Sequence, residues 1–243
     1  TYGKINRTGG EKMNPIGVVI CNYNKKDFVL QCVQSVLESK EKNFDIYVVD
    51  NASSDGSAEA LKKAYGNRIT VIENKENLGG SGGFNTGLRI VRDKGYSYFM
   101  CLDDDAAVDE NALSVLYHYM EEHTDTGMAG CRVYHTQMSD YIQQSGLLID
   151  FDNCTAKTIG ADMPEDGSLP DVIECDTVAT CAVMVRADTV KQKGVGIMPE
   201  DNFIYWDDME WGYRIKLAGY RVVTLAEAKA LHQMGANTKK ENT

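Results

Sequence analysis

The 243-residue sequence lacks any apolar stretch approaching the roughly 20 residues needed to span a bilayer, and it lacks a start of the signal-peptide kind. It has no excess of positive charge: 25 Lys+Arg stand against 36 Asp+Glu, a formal net charge of −11. Such a chain gains nothing from a polyanion by counterion release, which argues against nucleic-acid binding through a basic face. No two of its seven cysteines have CxxC spacing, and their number is odd. Zinc-knuckle and CxxC redox chemistry are thereby set aside. Thiols inside apolar runs such as VVIC and FMCL read as reduced, buried core residues of a cytoplasmic protein. There is no internal repeat and no clear domain break. At 43% hydrophobic and 25% charged, the composition excludes fibrous and disordered classes.

What is present reads as an alternating α/β chain. Residues 1–14 are polar and aperiodic and are expected to be a disordered leader or a cloning remnant. IGVVIC (16–21) has the β-branched make-up of a buried strand, and a helical pattern follows through Phe28, Val29, Cys32, Val33, Val36 and Leu37. FDIYVVD (44–50) is a second strand, after which NASSDGSAEALKKAY supplies Ser and Asp to cap a helix. ITVIE (69–73), the glycine-rich NLGGSGGFNTG (77–87), a helix to about Lys94 and YSYFMCL (96–102) continue the rhythm. Strands alternating with helices imply a mainly parallel sheet, with a ligand site beyond the carboxyl ends of its strands. Those ends carry Asn22, Asn24, Asp50, the glycine-rich segment and Asp103 to Asp105. After a helix capped by Asp109, with Leu113, Leu116, Tyr117 and Met120 on one face, GMAGCRVYH, YIQQSGLLID and VIECDTVATCAVMVR read as strands of a mixed or antiparallel extension. The segment 151–170, rich in Asp, Gly and Pro, reads as a flap over the site. A helix from FIYWDDMEW closed by Gly219, a strand YRVVTLA, and His232 in ALHQMG complete the pattern.

The sharpest local signal is LDDDA at 102–106. Three adjacent carboxylates raise one another's pKa, and a divalent cation removes that cost. In extended chain, alternate side chains share a side, so Asp103 and Asp105 converge on Mn²⁺ or Mg²⁺ while Asp104 points elsewhere. The alternative is an acidic turn capping the next helix. Gly79, Gly80, Gly82 and Gly83 let backbone approach a ligand and aim N–H groups at phosphate or ribose, unless the segment is only a linker. It is neither a Walker A loop nor GxGxxG. In YWDDMEW, Asp207 and Asp208 stand at a helix start, where the dipole favours carboxylates. The functional alternative is a general base beside Trp206, whose ring offers a face to a sugar. From the residues alone His232 reads as a core histidine, and His118, His123 and His135 as helix or strand-edge residues.

Taken in order, VVICNYN, VVDNASSDGS, NLGGSGGFNTG, LDDDA, YWDDMEWGYRI and LHQ make residues 15 to 235 resemble the inverting glycosyltransferases of family two. The resemblance implies the GT-A fold, an α/β, Rossmann-like, mainly parallel sheet with helices on both faces and a small antiparallel extension. It implies one domain over 15–243, with a nucleotide-binding half (15–105) and an acceptor-binding half (106–243). NLGGSGGFNTG and WDDMEW look most like galactofuranosyltransferases, and DNASSDGS is closer to rhamnosyltransferases. Lys25 stands where the former commonly carry Arg. By the same resemblance Asp103, Asp105 and His232 hold Mn²⁺ or Mg²⁺, Asp208 is the catalytic base, and Trp206, Asp207 and Glu210 meet the acceptor. Cys21, Asn22, Tyr23, Lys25, Asp50, Asn77, Gly79, Gly80, Gly82, Gly83 and Asp104 form the nucleotide pocket.

The implied activity is metal-dependent transfer, with inversion, of a sugar from a UDP or dTDP donor to a glycan or lipid-linked acceptor in cell-surface polysaccharide synthesis. UDP-galactofuranose is the favoured donor; dTDP-rhamnose or another UDP-hexose is the alternative. A cytoplasmic location, with peripheral association at the inner membrane face, goes with such acceptors. A nucleotidyltransferase would need a basic glycine-rich loop near residue 20, which NYNKKD is not. A nucleotide-sugar binding module without turnover is the alternative from another class.

Overall fold

Apolar runs of β-branched residues buried on both faces favour a parallel sheet, and the first hundred residues build one. A computed structural model describes residues 15–233. Residues 1–14, where a leader was expected, and 234–243 lie outside the described residues. β1 (Ile16–Asn22), α1 (Lys26–Glu38), β2 (Phe44–Asp50), α2 (Ser57–Tyr65), β3 (Thr70–Glu73), α3 (Gly79–Lys94) and β4 (Tyr98–Asp103) follow in alternation. Their order in space is β3-β2-β1-β4, with every pair parallel. The chain steps outward from β1 to β3 and then returns to the other side of β1 for β4. Such a reversal opens a crevice at the carboxyl ends of the two central strands. The register brings those ends level, Asn22 opposite Asp50 and Cys21 opposite Asp103.

The second half adds β5 (Ala106–Val108), α4 (Ala112–Glu122), β6 (Thr126–His135), β7 (Met138–Gln144), β8 (Leu147–Asp150) and β9 (Thr155–Thr158). It continues with β10 (Met163–Pro164), β11 (Val172–Glu174), β12 (Ala182–Arg186), α5 (Asp207–Leu217) and β13 (Arg221–His232). β12 lies antiparallel between β4 and β6 and converts the parallel sheet into a mixed one. β13 runs parallel to β6 and antiparallel to β5, which sets His232 opposite Ala106 and so beside the acidic turn. β8 and β9 pair as a separate hairpin, so the expected flap over 151–170 is ordered in part as a strand.

Alternation along β1 sorts the core. Ile16, Val18 and Ile20 pack with α1, α2 and α4, while Val19 packs on the other face with Phe84, Leu88 and Val91 of α3 and Trp211 and Ile215 of α5. Helices therefore cover both faces, as expected.

Four local readings change. The glycine-rich segment is helix from Gly79 onward, not loop. Glycine costs about 1 kcal/mol against alanine inside a helix. Packing accounts for its presence, because a Cβ on Gly83 would collide with Cys21 Sγ and one on Gly87 with Val19. Asp109 does not occupy the cap position of α4; Asn111 does, and the Asp109 carboxylate accepts the Asn111 N–H at 2.9 Å. The cap position of α2 is likewise Gly56. All seven cysteines are free, but Cys154 is exposed and Cys21 only partly buried.

Candidate active site

β4 ends in Asp103 and the chain turns at Asp104 and Asp105 before β5, so the acidic triplet is a turn and not the extended chain first expected. Asp103 and Asp105 nevertheless both reach His232, while Asp104 turns toward Tyr23 and Lys25. Asp104 Oδ2 accepts the Tyr23 N–H at 3.0 Å and Oδ1 lies 3.1 Å from Lys25 Nζ. Asp105 Oδ2 accepts from Lys25 Nζ at 2.6 Å. His232 Nε2 lies 3.2 Å from Asp105 Oδ1 and 3.7 Å from Asp103 Oδ2. One ligand atom from each of Asp103, Asp105 and His232 fits within 4.8 Å of the others, a spacing at which one cation can be shared. Long-range pairing of β13 thus lifts His232 out of the core role read from the residues alone.

The electrostatics follow from crowding. Burial raises the Asp103 carboxyl above its ordinary range, against the pull of His232. Burial likewise lifts Asp104 to about 7, although Lys25 opposes the shift. Burial would also raise Asp105, but the hydrogen bond with His232 and the charge of Lys25 hold it below the usual carboxylate range. Burial disfavours an imidazolium at His232, yet Asp105 and Asp103 more than offset this and raise its pKa.

The second cluster stands at the start of α5. Asp207 Oδ2 accepts from Ser81 Oγ at 2.9 Å, which ties the first turns of α3 and α5 together. Thr177, fully buried, donates to the Asp208 carbonyl oxygen at 2.7 Å and packs where Gly212 has no side chain. Burial, then the neighbouring Asp207 and more distant Asp103, push the Asp208 carboxyl up to about 7. The segment before α5 is fastened to α3: Ser81 Oγ donates to Asn202 O at 2.8 Å, and the Gly80 N–H to Phe203 O at 2.8 Å. Tyr205 and Trp206 both adopt φ of 69°, in the left-handed region, and Phe203 to Trp206 are all more than half exposed.

A cavity of about 650 Å³ joins these parts. Of the residues singled out from sequence, Cys21, Tyr23, Lys25, Asn77, Gly79, Gly80, Asp103, Asp104, Trp206, Asp207 and Asp208 line it. Asn22 and Asp50 do not; they bond to each other at 2.8 Å, both almost wholly buried, beneath its floor. Gly82 and Gly83 face protein. Asp105 and His232 lie behind Asp103 and Asp104, and the exposed Glu210 turns toward Arg214 at 3.7 Å. The amide hydrogens of Gly79 and Gly80 are already taken by Asn77 Oδ1 and Phe203 O, so they are not free for a phosphate. Asn51, not singled out from sequence, is the buried hub of this wall. Its Nδ2 donates to Asn77 Oδ1 and Gly79 O, and its Oδ1 accepts from Asn74 and from the Leu78 N–H. Only its place after Asp50 at a strand end could have marked it.

Comparison with known proteins now bears on this geometry. The model of the family described as "Glycosyl transferase family 2" matches residues 17–183. The teichoic acid poly(glycerol phosphate) polymerase of Staphylococcus epidermidis is 26% identical over 146 residues, covering 58% of this chain and 19% of that protein. The UDP-Glc:alpha-D-GlcNAc-diphosphoundecaprenol beta-1,3-glucosyltransferase WfaP of Escherichia coli is 30% identical over 109 residues, 45% of this chain and 42% of that protein. The chain therefore spans less than half the length of these relatives. Neither is a galactofuranosyl- or rhamnosyltransferase, so the likeness supports the family and not those two branches in particular. The mannosyltransferase PcManGT from Pyrobaculum calidifontis, solved with GDP-Man and Mn²⁺, superposes with a TM-score of 0.66 at 16% identity, over 94% of this chain and 59% of that one. The fold is thus GT-A.

Proposed function

The chain belongs to glycosyl transferase family 2, and from that premise we propose that it moves a sugar from a nucleoside-diphosphate donor to an acceptor hydroxyl, in one displacement that inverts the anomeric carbon. The observation that carries this reading is that Asp103 and Asp208, brought by β4 and α5, open onto one cavity. A single displacement needs one carboxylate base and no second nucleophile, since no covalent intermediate forms. Asp208 takes that role. With a pKa of about 7 it is ionised above neutrality, yet basic enough to receive the acceptor's proton as the hydroxyl oxygen attacks.

Asp103, Asp105 and His232 would hold Mn²⁺ or Mg²⁺, and two carboxylates with an imidazole are a donor set that suits such ions. When bound, the cation supplies Lewis-acid stabilisation of the charge that grows on the departing diphosphate. Lys25 balances part of the acidic turn from the cavity wall. The exposed rings of Tyr205 and Trp206 offer apolar faces on which an acceptor sugar stacks. Asp207, bonded to Ser81, holds the first turn of α5 so that Asp208 faces the cavity.

UDP-galactofuranose heads the donors to test. UDP-glucose joins it because the E. coli relative is a UDP-Glc transferase, and dTDP-rhamnose follows. The acceptor is a glycan or lipid-linked glycan of the cell surface, in keeping with the E. coli relative, whose name gives a diphosphoundecaprenol-linked GlcNAc. A lipid-linked acceptor would bring the chain to the inner face of a membrane; among the described residues no helix is long and apolar enough to cross one. The test is release of nucleoside diphosphate from these donors with Mn²⁺ present, by the unaltered chain and by Asp103→Asn. Metal-dependent release from one donor, lost in the variant, is the expected result. Release that is indifferent to Mn²⁺ and to Asp103 overturns the assignment.

A further inference from the structure

No sequence motif marks Gln143, yet it is 4% exposed and holds His232 at two points. It stands on β7 and His232 on β13, the two strands that flank the end of β6. Gln143 Nε2 donates to the His232 backbone oxygen at 3.2 Å, and Gln143 Oε1 lies 2.7 Å from His232 Nδ1. A backbone carbonyl only accepts, so the amide nitrogen must face it and Oε1 is left facing Nδ1. Because Oε1 also only accepts, Nδ1 carries the hydrogen. In the neutral ring the lone pair then belongs to Nε2, which faces Asp105 Oδ1 at 3.2 Å and Asp103 Oδ2 at 3.7 Å. A lone pair aimed at two carboxylates is repelled unless a proton or a cation lies between them.

We infer that Gln143 is a positioning residue, which fixes His232 as the Nδ1–H tautomer and aims its Nε2 lone pair at a divalent cation shared with Asp103 and Asp105. The inference rests on the metal-holding role proposed above for those three residues. Partners of this kind orient a ligating imidazole, and their loss costs roughly 10–100-fold in metal affinity. The second bond, to the His232 carbonyl, adds a specific feature. It removes the freedom of the amide to flip, and with it the freedom of the ring to present the other tautomer.

The test uses the full chain and Mn²⁺ alone, titrated by the loss of its free electron-spin resonance signal. Gln143→Leu keeps the volume and removes the acceptor; Gln143→Glu keeps an acceptor oxygen opposite Nδ1 but gives up the donor to the His232 carbonyl. Gln143→Leu should bind Mn²⁺ roughly 10–100-fold more weakly, and Gln143→Glu should recover part of the affinity that leucine loses. Long-range ¹H–¹⁵N correlations on the unaltered chain with EDTA, above the titration of His232, should show the hydrogen on Nδ1. A neutral ring with its hydrogen on Nε2 overturns the inference even if the leucine variant does not fold. So does Mn²⁺ binding by Gln143→Leu equal to that of the unaltered chain, which leaves the metal centre standing. Failure of the unaltered chain to bind Mn²⁺ overturns the metal centre and the role of Gln143 together.

Discussion

Replacing Asp208 by asparagine should make the protein both less active and more stable. Burial and the neighbouring Asp207 raise the folded-state pKa of Asp208 to about 7 from an ordinary value of 3.8. About three pKa units at ~1.4 kcal/mol each give a penalty of up to about 4 kcal/mol carried by the ionised side chain. Solvent in the cavity screens part of it, so this figure is an upper bound. The unfolded chain releases the proton near pH 3.8 and the folded chain only near 7. Between those values the folded state binds more protons, and stability from this group is lost as pH rises. Below about pH 4 both states are protonated and the contribution vanishes. Asparagine keeps the acceptor oxygen that takes the Met209 N–H at 2.7 Å but carries no charge. With roughly 2–4 °C per kcal/mol for a chain of this size, a gain of even a third of the bound moves the melting temperature by several degrees. Melting curves of Asp208→Asn and the unaltered chain at pH 8, 6 and 4 in EDTA should separate most at pH 8 and converge at pH 4. Transfer to acceptor by the variant should fall roughly 10²-fold or more. A variant that is destabilised at pH 8, or that turns over normally, refutes the reasoning.

Gly83→Ala should lower stability by ~1–3 kcal/mol and weaken nucleotide binding, because its methyl group would strike Cys21 Sγ and crowd Asn51 Nδ2 at 3.1 Å. An unchanged melt would show that α3 does not lie this close to β1. Thr177→Val removes the hydroxyl that holds the Asp208 carbonyl and should cost ~1–3 kcal/mol. Turnover should drop more than donor affinity measured by calorimetry, and an unaltered kcat counts against α5 being set by this bond. Mn²⁺ affinity should weaken on acidification. Burial opposes a charged His232, but Asp105 and Asp103 outweigh it and raise its pKa, so a proton must leave before a cation binds. Titrations at pH 6, 7 and 8 should show a loss of about tenfold per unit below that pKa, and a flat profile contradicts the ligand set.

The parallel half of the fold was legible because its strands are short β-branched runs whose period and boundaries depend on local sequence. β2 was read over 44–50, the span it occupies. The carboxylates at 103–105 and 207–208 stood out because clustered like charges are costly to hold, and the helix start at 207 was read correctly, but 103–105 was expected to be extended and turns after Asp103. The glycine segment was misread because local propensity opposes helix there. The contacts that favour helix, Gly83 on Cys21 and Gly87 on Val19, join elements about 60 residues apart in sequence. Thr177 and Gln143 were invisible for the same reason. Gln143 meets His232 across 89 residues, and no spacing rule reaches that far. Donor identity stayed out of reach because the cavity wall combines aromatic rings, carboxylates and amides, such as Tyr23, Trp206, Asp103 and Asn77, which suit many nucleotide sugars and name none.

Asp103, Asp104, Asp207 and Asp208 all line one cavity, with Asp105 just behind, and the cations beside them are Lys25 and His232. Three of these carboxyls, at 103, 104 and 208, are raised, so the folded chain holds negative charge that it would shed as the pH falls. A core selected for stability alone would replace such groups with apolar ones. Their retention makes physical sense if each working state brings positive charge, or takes up a proton, at this spot. A divalent cation would relieve the repulsion between Asp103 and Asp105, and a proton taken from an acceptor would relieve that between Asp207 and Asp208. The strain in the resting cavity and the chemistry proposed for it therefore have the same origin. Substitutions that relax one should cost the other.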